Sequence, residues 1–154
     1  INTLINLINF CEKRNTEFFF IFACKGKRKK KLYNQLKSKK NVLITDYFSS
    51  KETSQMLSMA CCHIITLENE WADIVYPSKL FGIIKTKKPV VFIGPSKSDI
   101  AKFIKLKNFG KVFKNGEKPN KILKSIEIIS NLSSLNRESN YDKNPKEIVK
   151  FVLN

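Results

Sequence analysis

The sequence lacks any apolar run approaching the roughly 18 residues that span a bilayer, and it opens without a secretory signal pattern. Cysteine is scarce: the four cysteines form no Cys-x-x-Cys pair and lie inside apolar stretches. This usage is typical of a reducing cytosol and implies no metal site. We therefore expect a cytoplasmic protein, with at most a peripheral contact to the inner face of a membrane.

Acidic residues are few, with 13 Asp and Glu against 29 Lys and Arg, which gives a formal net charge of +16. Such a charge favours a nucleic-acid or anionic-membrane partner. The alternative is a biased composition, because Lys, Asn and Ile are abundant throughout. We favour the compositional explanation, since the lysines occur in nearly every predicted helix and loop without interleaved aromatics that could stack on bases. A nucleic-acid partner is not expected.

No linker rich in Pro, Gly or Ser divides the 154 residues, and no hairpin signal joins consecutive strands. Apolar stretches of strand length alternate with segments of helical periodicity, which favours parallel strands joined by helical crossovers. Residues 1–154 are therefore predicted to form one α/β domain, a Rossmann-like doubly wound parallel sheet in a three-layer αβα sandwich. The predicted strands are 17–23, 41–45, 61–67, 90–93 and 110–113.

The predicted helices include one at the start of the chain, where Leu4, Leu7 and Ile8 share a face. Ser96 and Asp99 have the spacing of a capping box. Residues 130–144 are polar and turn-like, and Pro145 is expected to begin a final helix. Because the chain opens at Ile1 in mid-helix, without a preceding strand or cap, we interpret it as a fragment.

The most informative segment covers residues 76–95. Pro77 suits the first turn of a helix, and the apolar run 90–93 that follows is typical of a buried parallel strand. Lys79 falls in the first helical turn, where its charge opposes the helix dipole. An anion such as a phosphate at that helix end would account for this lysine, with a solvated surface lysine as the alternative.

The same segment resembles the donor-site segment of family 4 glycosyltransferases of the GT-B fold. The likeness lies in Pro-Ser-Lys-Leu-Phe-Gly-Ile at 77–83 and Lys-Pro-Val-Val-Phe-Ile-Gly-Pro at 88–95. It is closest to the subgroup with Pro-Ser-Lys-Leu-Tyr-Gly-Ile. This resemblance implies that Pro77 and Ser78 lie where the family's backbone amides meet the donor diphosphate, with Lys79 beside them. Glu70 and Asp73 would then lie where the transferred sugar is held.

Looser likenesses extend over about residues 1–130. Cys24-Lys25-Gly26 resembles the family's glycine-rich turn, with Gly26 the one usual glycine retained. Asn41-Val42 and the loop with Asp46 and Tyr47 resemble the segment that packs near the nucleotide base. The alternatives remain open: Glu70 and Asp73 as ordinary loop acids, Tyr47 as a core residue, and His63 as a core histidine.

Two departures from the family pattern matter. The pair of glutamates separated by seven residues is absent, since Ile74 and Gly82 occupy those positions. The family's first strand, central in the sheet, and its whole N-terminal acceptor lobe would lie before Ile1. We therefore expect the gap to stay open or to be closed by a neighbour, and the isolated fragment to be inactive.

The resemblance implies the donor-binding lobe of a hexosyltransferase of cell-envelope polysaccharide biosynthesis. Its donor is a nucleoside-diphosphate sugar, and its acceptor is a glycan or lipid-linked molecule bound through the N-terminal lobe. Neither a cofactor nor a metal is expected, and no catalytic residue is assigned. The alternative function is a non-enzymatic basic α/β module that binds RNA or anionic surfaces. A third and weaker possibility is that the chain belongs to a sugar-nucleotide epimerase of the same fold.

Overall fold

The structure is a computed structural model that describes residues 1–24, 27–46, 49–72, 79–135 and 148–152. The helices are α1 (Asn2–Lys13), α2 (Lys27–Leu36), α3 (Ser50–Met59), α4 (Lys79–Lys85), α5 (Asp99–Leu106) and α6 (Pro119–Leu135). The strands are β1 (Phe19–Ala23), β2 (Val42–Thr45), β3 (Cys62–Thr66), β4 (Val90–Ile93), β5 (Gly110–Phe113) and β6 (Ile148–Val152). A single 3₁₀ turn, Asn69–Trp71, follows β3.

The six strands form one sheet in the order β2-β1-β6-β3-β4-β5, and every neighbouring pair is parallel. From the centre, the chain winds outward through β1 to β2 on one side and through β3 and β4 to β5 on the other. This arrangement confirms the predicted doubly wound α/β fold. It requires helical crossovers, because parallel neighbours cannot be joined by tight turns.

Helices cover both faces of the sheet, and each face has its own apolar core. On one face, α1, α2 and α6 pack their buried residues against Phe20 and Phe22 of β1 and Ile64 of β3. On the other face, α3, α4 and α5 pack against Ile65 and Phe92. All four residues of β4 are buried, as expected for a strand covered on both sides.

Three helices, α1, α4 and α5, are followed by a polar residue with left-handed backbone conformation, and in two of them this residue is asparagine. Asn15 after α1 has φ 49° and Asn108 after α5 has φ 48°. Next to Asn108, the amide of Phe109 donates to the carbonyl of Ile104 at 2.9 Å, and Asn108 N–H donates to Lys105 at 3.1 Å. This is a Schellman motif, in which asparagine replaces the usual glycine.

Three predictions about local structure were wrong. The final segment, expected to be a helix from Pro145, forms strand β6, and its β-branched Ile148, Val149 and Val152 suit a strand. Helix α6 continues to Leu135, beyond the turn expected from residue 130. The cap of α5 is Ser98, whose Oγ accepts from the amide of Ala101 at 3.4 Å, rather than Ser96.

Strand β6 lies at the centre of the sheet, where the resemblance places a strand that would precede Ile1. Val149 of β6 is paired with Phe20 of β1 on one side and with Cys62 of β3 on the other. The chain therefore closes its own sheet with a parallel strand, and neither the open gap nor the neighbouring molecule that we expected is needed.

Candidate functional site

The carboxyl edge of the sheet is where the topology places a binding crevice. The strand order reverses around β6, between β1 and β3, and ligands of doubly wound sheets bind outside the carboxyl ends of the strands at such a switch point. The connections that leave β1, β2, β3, β4 and β5 all open at this edge. The N-terminal end of α1 also lies here, because the amino group of Ile1 donates to Glu68 Oε1 at 2.5 Å.

Asp46 directly follows β2 and is tied to the start of α2. Lys29 Nζ donates to Asp46 Oδ2 at 2.9 Å, and the Asp46 side chain is 63% exposed. An exposed ion pair of this kind contributes about 0–1 kcal/mol. The structure thus places Asp46 at the expected edge, with its charge balanced by Lys29.

Glu70 lies in the 3₁₀ turn after β3 and is exposed. Its neighbour Trp71, the single tryptophan of the chain, is 47% exposed. The amide of Trp71 donates to the carbonyl of Glu68 at 3.2 Å, which closes the turn. Glu70 therefore presents a carboxylate at the carboxyl edge, beside an aromatic side chain that sequence reasoning did not single out.

Asn115, in the β5–α6 connection, is a further residue that sequence reasoning missed. Its Nδ2 donates to the carbonyl oxygen of Leu67 and to Oδ1 of Asn69, at 2.9 Å each. These two bonds hold the exit of β3 against the exit of β5, across β4. A single asparagine near a glycine, here Gly116, is a common turn signal, and nothing in the sequence points to this distant pairing.

Gly94, at the end of β4, forms a tightly packed part of the same edge. A Cβ atom at Gly94 would lie 2.9 Å from the carbonyl oxygen of Leu67 and 2.7 Å from Cζ of Phe92. The amide of Gly94 donates to the carbonyl of Phe113 at 2.8 Å. The glycine is therefore required for the close approach of the two backbones.

Lys79 is the first residue of α4, as expected, so its backbone lies at the carboxyl edge next to the β3 connection. The predicted site residues Gly26, Tyr47, Asp73, Pro77 and Ser78 lie outside the described residues. The described members of the predicted site, Asp46, Glu70 and Lys79, share one edge of the sheet. Asp46 and Glu70 follow strands that are three positions apart, or about 14 Å at the usual strand spacing. Only an extended ligand could contact both.

Two carboxylates at this edge have structural roles in helix starts. The hydroxyl and amide of Ser49 donate to Glu52 at 2.6 and 2.8 Å, and these hydrogen bonds lower the pKa of Glu52. A hydrogen bond from Lys121 Nζ lowers the pKa of Glu117. Both groups are occupied by local contacts at the helix starts, so we do not assign them to ligand binding.

His63 lies away from this edge. It is fully buried in β3, is paired in register with Val90 at the amino end of β4, and has Nε2 3.4 Å from Thr86 Oγ1. The structure thus places it in the core. Within the described residues, no cluster of three or more His, Cys, Asp or Glu side chains could hold a metal ion.

No described helix is both long and apolar enough to cross a membrane. Comparison with protein-family models, curated proteins and solved structures finds no match to this chain. The likeness to family 4 glycosyltransferases therefore rests on the residues quoted for it above.

Proposed function

We propose that this chain is the donor-binding lobe of a GT-B glycosyltransferase and holds a nucleoside-diphosphate sugar at the carboxyl edge of its sheet. The observation that carries the proposal is the strand order, which reverses around β6, because ligands of doubly wound sheets bind outside the carboxyl ends of the strands at such a switch point. Asp46, Glu70 and Lys79, chosen from the sequence for this ligand, are all at that edge. Their separation suits an elongated ligand.

In this proposal, each group meets a different part of the donor. Lys79, with Pro77 and Ser78 expected beside it, stabilises the negative charge that develops on the departing diphosphate. The carboxylate of Glu70 accepts hydrogen bonds from hydroxyls of the sugar, as the neighbouring Asp73 is expected to do. Asp46 lies on the far side of the crevice, where Gly26 and Tyr47 are expected near the nucleoside.

The proposed reaction is transfer of the sugar to a glycan or lipid-linked acceptor bound by a second lobe, without a metal or cofactor. In the same proposal, we assign the protein to the cytoplasm and its reaction to the synthesis of cell-envelope polysaccharide. Because the acceptor is bound elsewhere, donor binding rather than turnover is the measurable property of this chain.

The test is calorimetric titration of the chain with UDP, GDP and ADP at moderate salt. We expect one nucleotide to bind in preference to the others, and Lys79→Ala to weaken that binding by about tenfold, since hydrogen bonds to charged groups contribute about 1.5 kcal/mol. Lys124→Ala, an exposed lysine on α6, is the matched control. Equal affinity in the Lys79 and Lys124 variants would refute the site.

The single tryptophan offers a second readout, because Trp71 lies beside Glu70 at the proposed site. Donor binding is expected to change Trp71 fluorescence and to protect it from acrylamide. Single-stranded RNA serves as the comparator for the alternative function. RNA binding that falls steeply with salt, in the absence of any nucleotide binding, would favour the basic-module alternative.

A further inference from the structure

The fold sorts lysines that are spread along the sequence onto one edge of the sheet. At the amino ends of the strands, we count each connection from a helix to the next strand together with the last three residues of that helix. Within the described residues, this set contains ten basic and two acidic residues. Counted over the described residues in the same way, the connections at the carboxyl ends, with the three helical residues after each, hold nine basic and six acidic residues. The basic residues of the amino edge are Lys13, Arg14, Lys37, Lys39, Lys40, Lys85, Lys87, Lys88, Lys105 and Lys107. Among the described residues of these connections, the surplus of positive charge is therefore larger at the edge opposite the proposed donor site.

A concave pocket of about 240 Å³ opens at this amino edge, where β4 and β5 begin. Lys87 and Lys111 contribute to its lining, and both are exposed. Pro89, Phe109 and Ile129 add apolar surface to the same pocket. The combination of two ammonium groups with an apolar floor suits an anionic group that is attached to an apolar body.

Gly110, which also lines the pocket, lies where the backbone leaves no room for a side chain. A Cβ atom at Gly110 would lie 1.8 Å from the carbonyl oxygen of Val90, so only glycine fits there. The turns on either side end in left-handed residues, Lys87 with φ 55° and Asn108 with φ 48°. These turns bring Lys87 and Asn108, which follow α4 and α5, into the lining of one pocket.

The lysines around the pocket are available to a partner. Lys85, Lys87, Lys105, Lys107 and Lys111 are exposed, and none of them forms an ion pair with any residue in the described part of the chain. Elsewhere, Lys29, Lys39, Lys102 and Lys121 are each paired with a carboxylate. Among the described residues, these five lysines thus have no carboxylate partner.

An apolar side chain projects within this charged surface. Leu106, between Lys105 and Lys107 at the end of α5, is 81% exposed, more than the other large hydrophobic residues in the described part of the chain. A single exposed leucine needs no explanation by itself. Flanked by Lys105 and Lys107 at the amino edge, Leu106 matches the interfacial pattern in which cations contact headgroups and an apolar residue enters the acyl boundary. We call Lys85, Lys87, Lys105, Leu106, Lys107 and Lys111 the amino-edge patch.

We propose that the amino-edge patch binds the surface of an anionic phospholipid membrane. The lysines contact headgroup phosphates, the pocket between Lys87 and Lys111 receives one headgroup, and Leu106 enters the interface. RNA fits the patch less well because base stacking needs exposed aromatics. In the described part of the chain, the exposed aromatic side chains are Tyr33 and Trp71, and neither belongs to the amino edge. Membrane binding does not depend on the proposed donor site, which remains in the aqueous phase on the opposite edge.

The first experiment is co-sedimentation of the chain with vesicles of phosphatidylcholine containing phosphatidylglycerol, at physiological salt. The patch variant carries Lys87→Gln, Lys105→Gln and Lys111→Gln. The control variant removes the same charge through Lys30→Gln, Lys31→Gln and Lys124→Gln, all exposed positions on α2 and α6. Since each lysine at an anionic surface is worth roughly fivefold in partitioning, we expect the patch variant to bind about 100-fold less tightly. The control should lose much less, and an equal loss in both variants would overturn the proposal.

Three further measurements identify the source of the phosphate and the contact edge. Leu106→Ser should weaken vesicle binding by about tenfold, and an unchanged affinity would contradict insertion. Trp71, on the opposite edge, should remain accessible to acrylamide on vesicles, so protection of Trp71 would place the wrong edge on the membrane. Single-stranded RNA that binds the patch more tightly than vesicles at equal salt would assign the patch to nucleic acid instead.

Lys87→Gly separates binding from folding, because glycine relieves the left-handed backbone at that position. We expect this variant to bind vesicles less tightly while its melting temperature is unchanged or higher. Undiminished vesicle binding by this variant would remove Lys87 from the contact and contradict the pocket assignment.

Discussion

The side-chain amide of Asn115 donates a hydrogen bond to the carbonyl oxygen of Leu67 at 2.9 Å, across the carboxyl edge of the sheet. The two residues are separated by 48 positions in the sequence and belong to the exits of β5 and β3. Asn115 also holds Asn69, the first residue of the 3₁₀ turn that carries Glu70. One side chain therefore fixes the origin of the loop that we assign to sugar binding.

Removal of this amide is expected to loosen the Glu70 loop. Asn115→Ala leaves the Leu67 carbonyl without its side-chain donor, so we expect the free energy of unfolding to fall by about 1–2 kcal/mol in urea denaturation. In the donor-lobe proposal, affinity for a nucleotide sugar falls as well, while affinity for the nucleotide alone changes little. Asn120→Ala, at an exposed position in α6, is the control. A stable Asn115→Ala protein would show that the bonds contribute little.

Three glycines provide a graded test of backbone packing. Gly110→Ala should be the most damaging, by more than about 3 kcal/mol, because its Cβ would lie 1.8 Å from the carbonyl oxygen of Val90. Gly94→Ala should cost about 1–3 kcal/mol, since the Leu67 carbonyl is 2.9 Å away and the Phe92 ring must also shift.

Gly82→Ala is the control for these two variants. The nearest atom to its Cβ is Cδ1 of Leu57 at 3.9 Å, and alanine in the middle of α4 should raise stability by up to about 1 kcal/mol. Urea denaturation of the three variants should rank them in this order, and any other ranking would contradict the packing described here.

The Cys11 thiol is expected to link stability to alkaline pH. Burial raises the pKa of Cys11 from 9.0 to about 11. A group whose pKa is raised by folding contributes stability that is complete below the unfolded pKa and is lost as pH rises towards the folded pKa. Between pH 8 and pH 10, this loss amounts to about 1 kcal/mol.

Urea denaturation of the native chain and of Cys11→Ala at both pH values measures this contribution by difference. We expect the Cys11→Ala variant to be less stable than the native chain at both pH values. Its free energy of unfolding should nevertheless fall less than that of the native chain between pH 8 and pH 10. The same burial predicts slow alkylation of Cys11 at pH 8. Parallel pH profiles for the two proteins would contradict a buried, neutral thiol.

Strand β6 is expected to be essential because it joins the two halves of the sheet. Val149→Pro removes an amide donor from a strand paired on both sides, which should cost about 3 kcal/mol or more and expose the edges of β1 and β3. Val149→Thr keeps the amide and the β-branched side chain and serves as the control. Circular dichroism and size-exclusion chromatography should show lost structure or aggregation only for the proline variant. Equal behaviour of the two would argue against a central β6.

The sequence predicted the layers of this fold well and several local details poorly. The apolar runs at Phe19–Ala23 and Val90–Ile93 identified buried strands, because both faces of such strands must be covered. Ser98, rather than Ser96, caps α5, since both serines have plausible spacing and only the path of the chain after β4 distinguishes them. Ile148–Val152 was mistaken for a helix because five apolar-rich residues after a proline fit either periodicity.

Part of the candidate site was also accessible to sequence reasoning. Asp46, Glu70 and Lys79 were chosen from residue type, position after a strand and resemblance, and parallel strands necessarily bring such positions to one edge. Asn115 and the close approach at Gly94 were missed, because each depends on a contact with Leu67 that no local pattern encodes. The gathering of lysines at the amino edge likewise depends on which strands become neighbours, and the spacing of lysines along the sequence did not predict it.

Composition and periodicity were enough to establish an α/β chain with alternating elements and a large positive charge, because those properties follow from each segment's own residues. Three features arise only when the chain is folded: β6 between β1 and β3, the link from Asn115 to Leu67, and the gathering of lysines at the amino edge. All three depend on which strands become neighbours. Strand pairing is a long-range choice made by the packing of the whole sheet, and spacing along the sequence does not specify it.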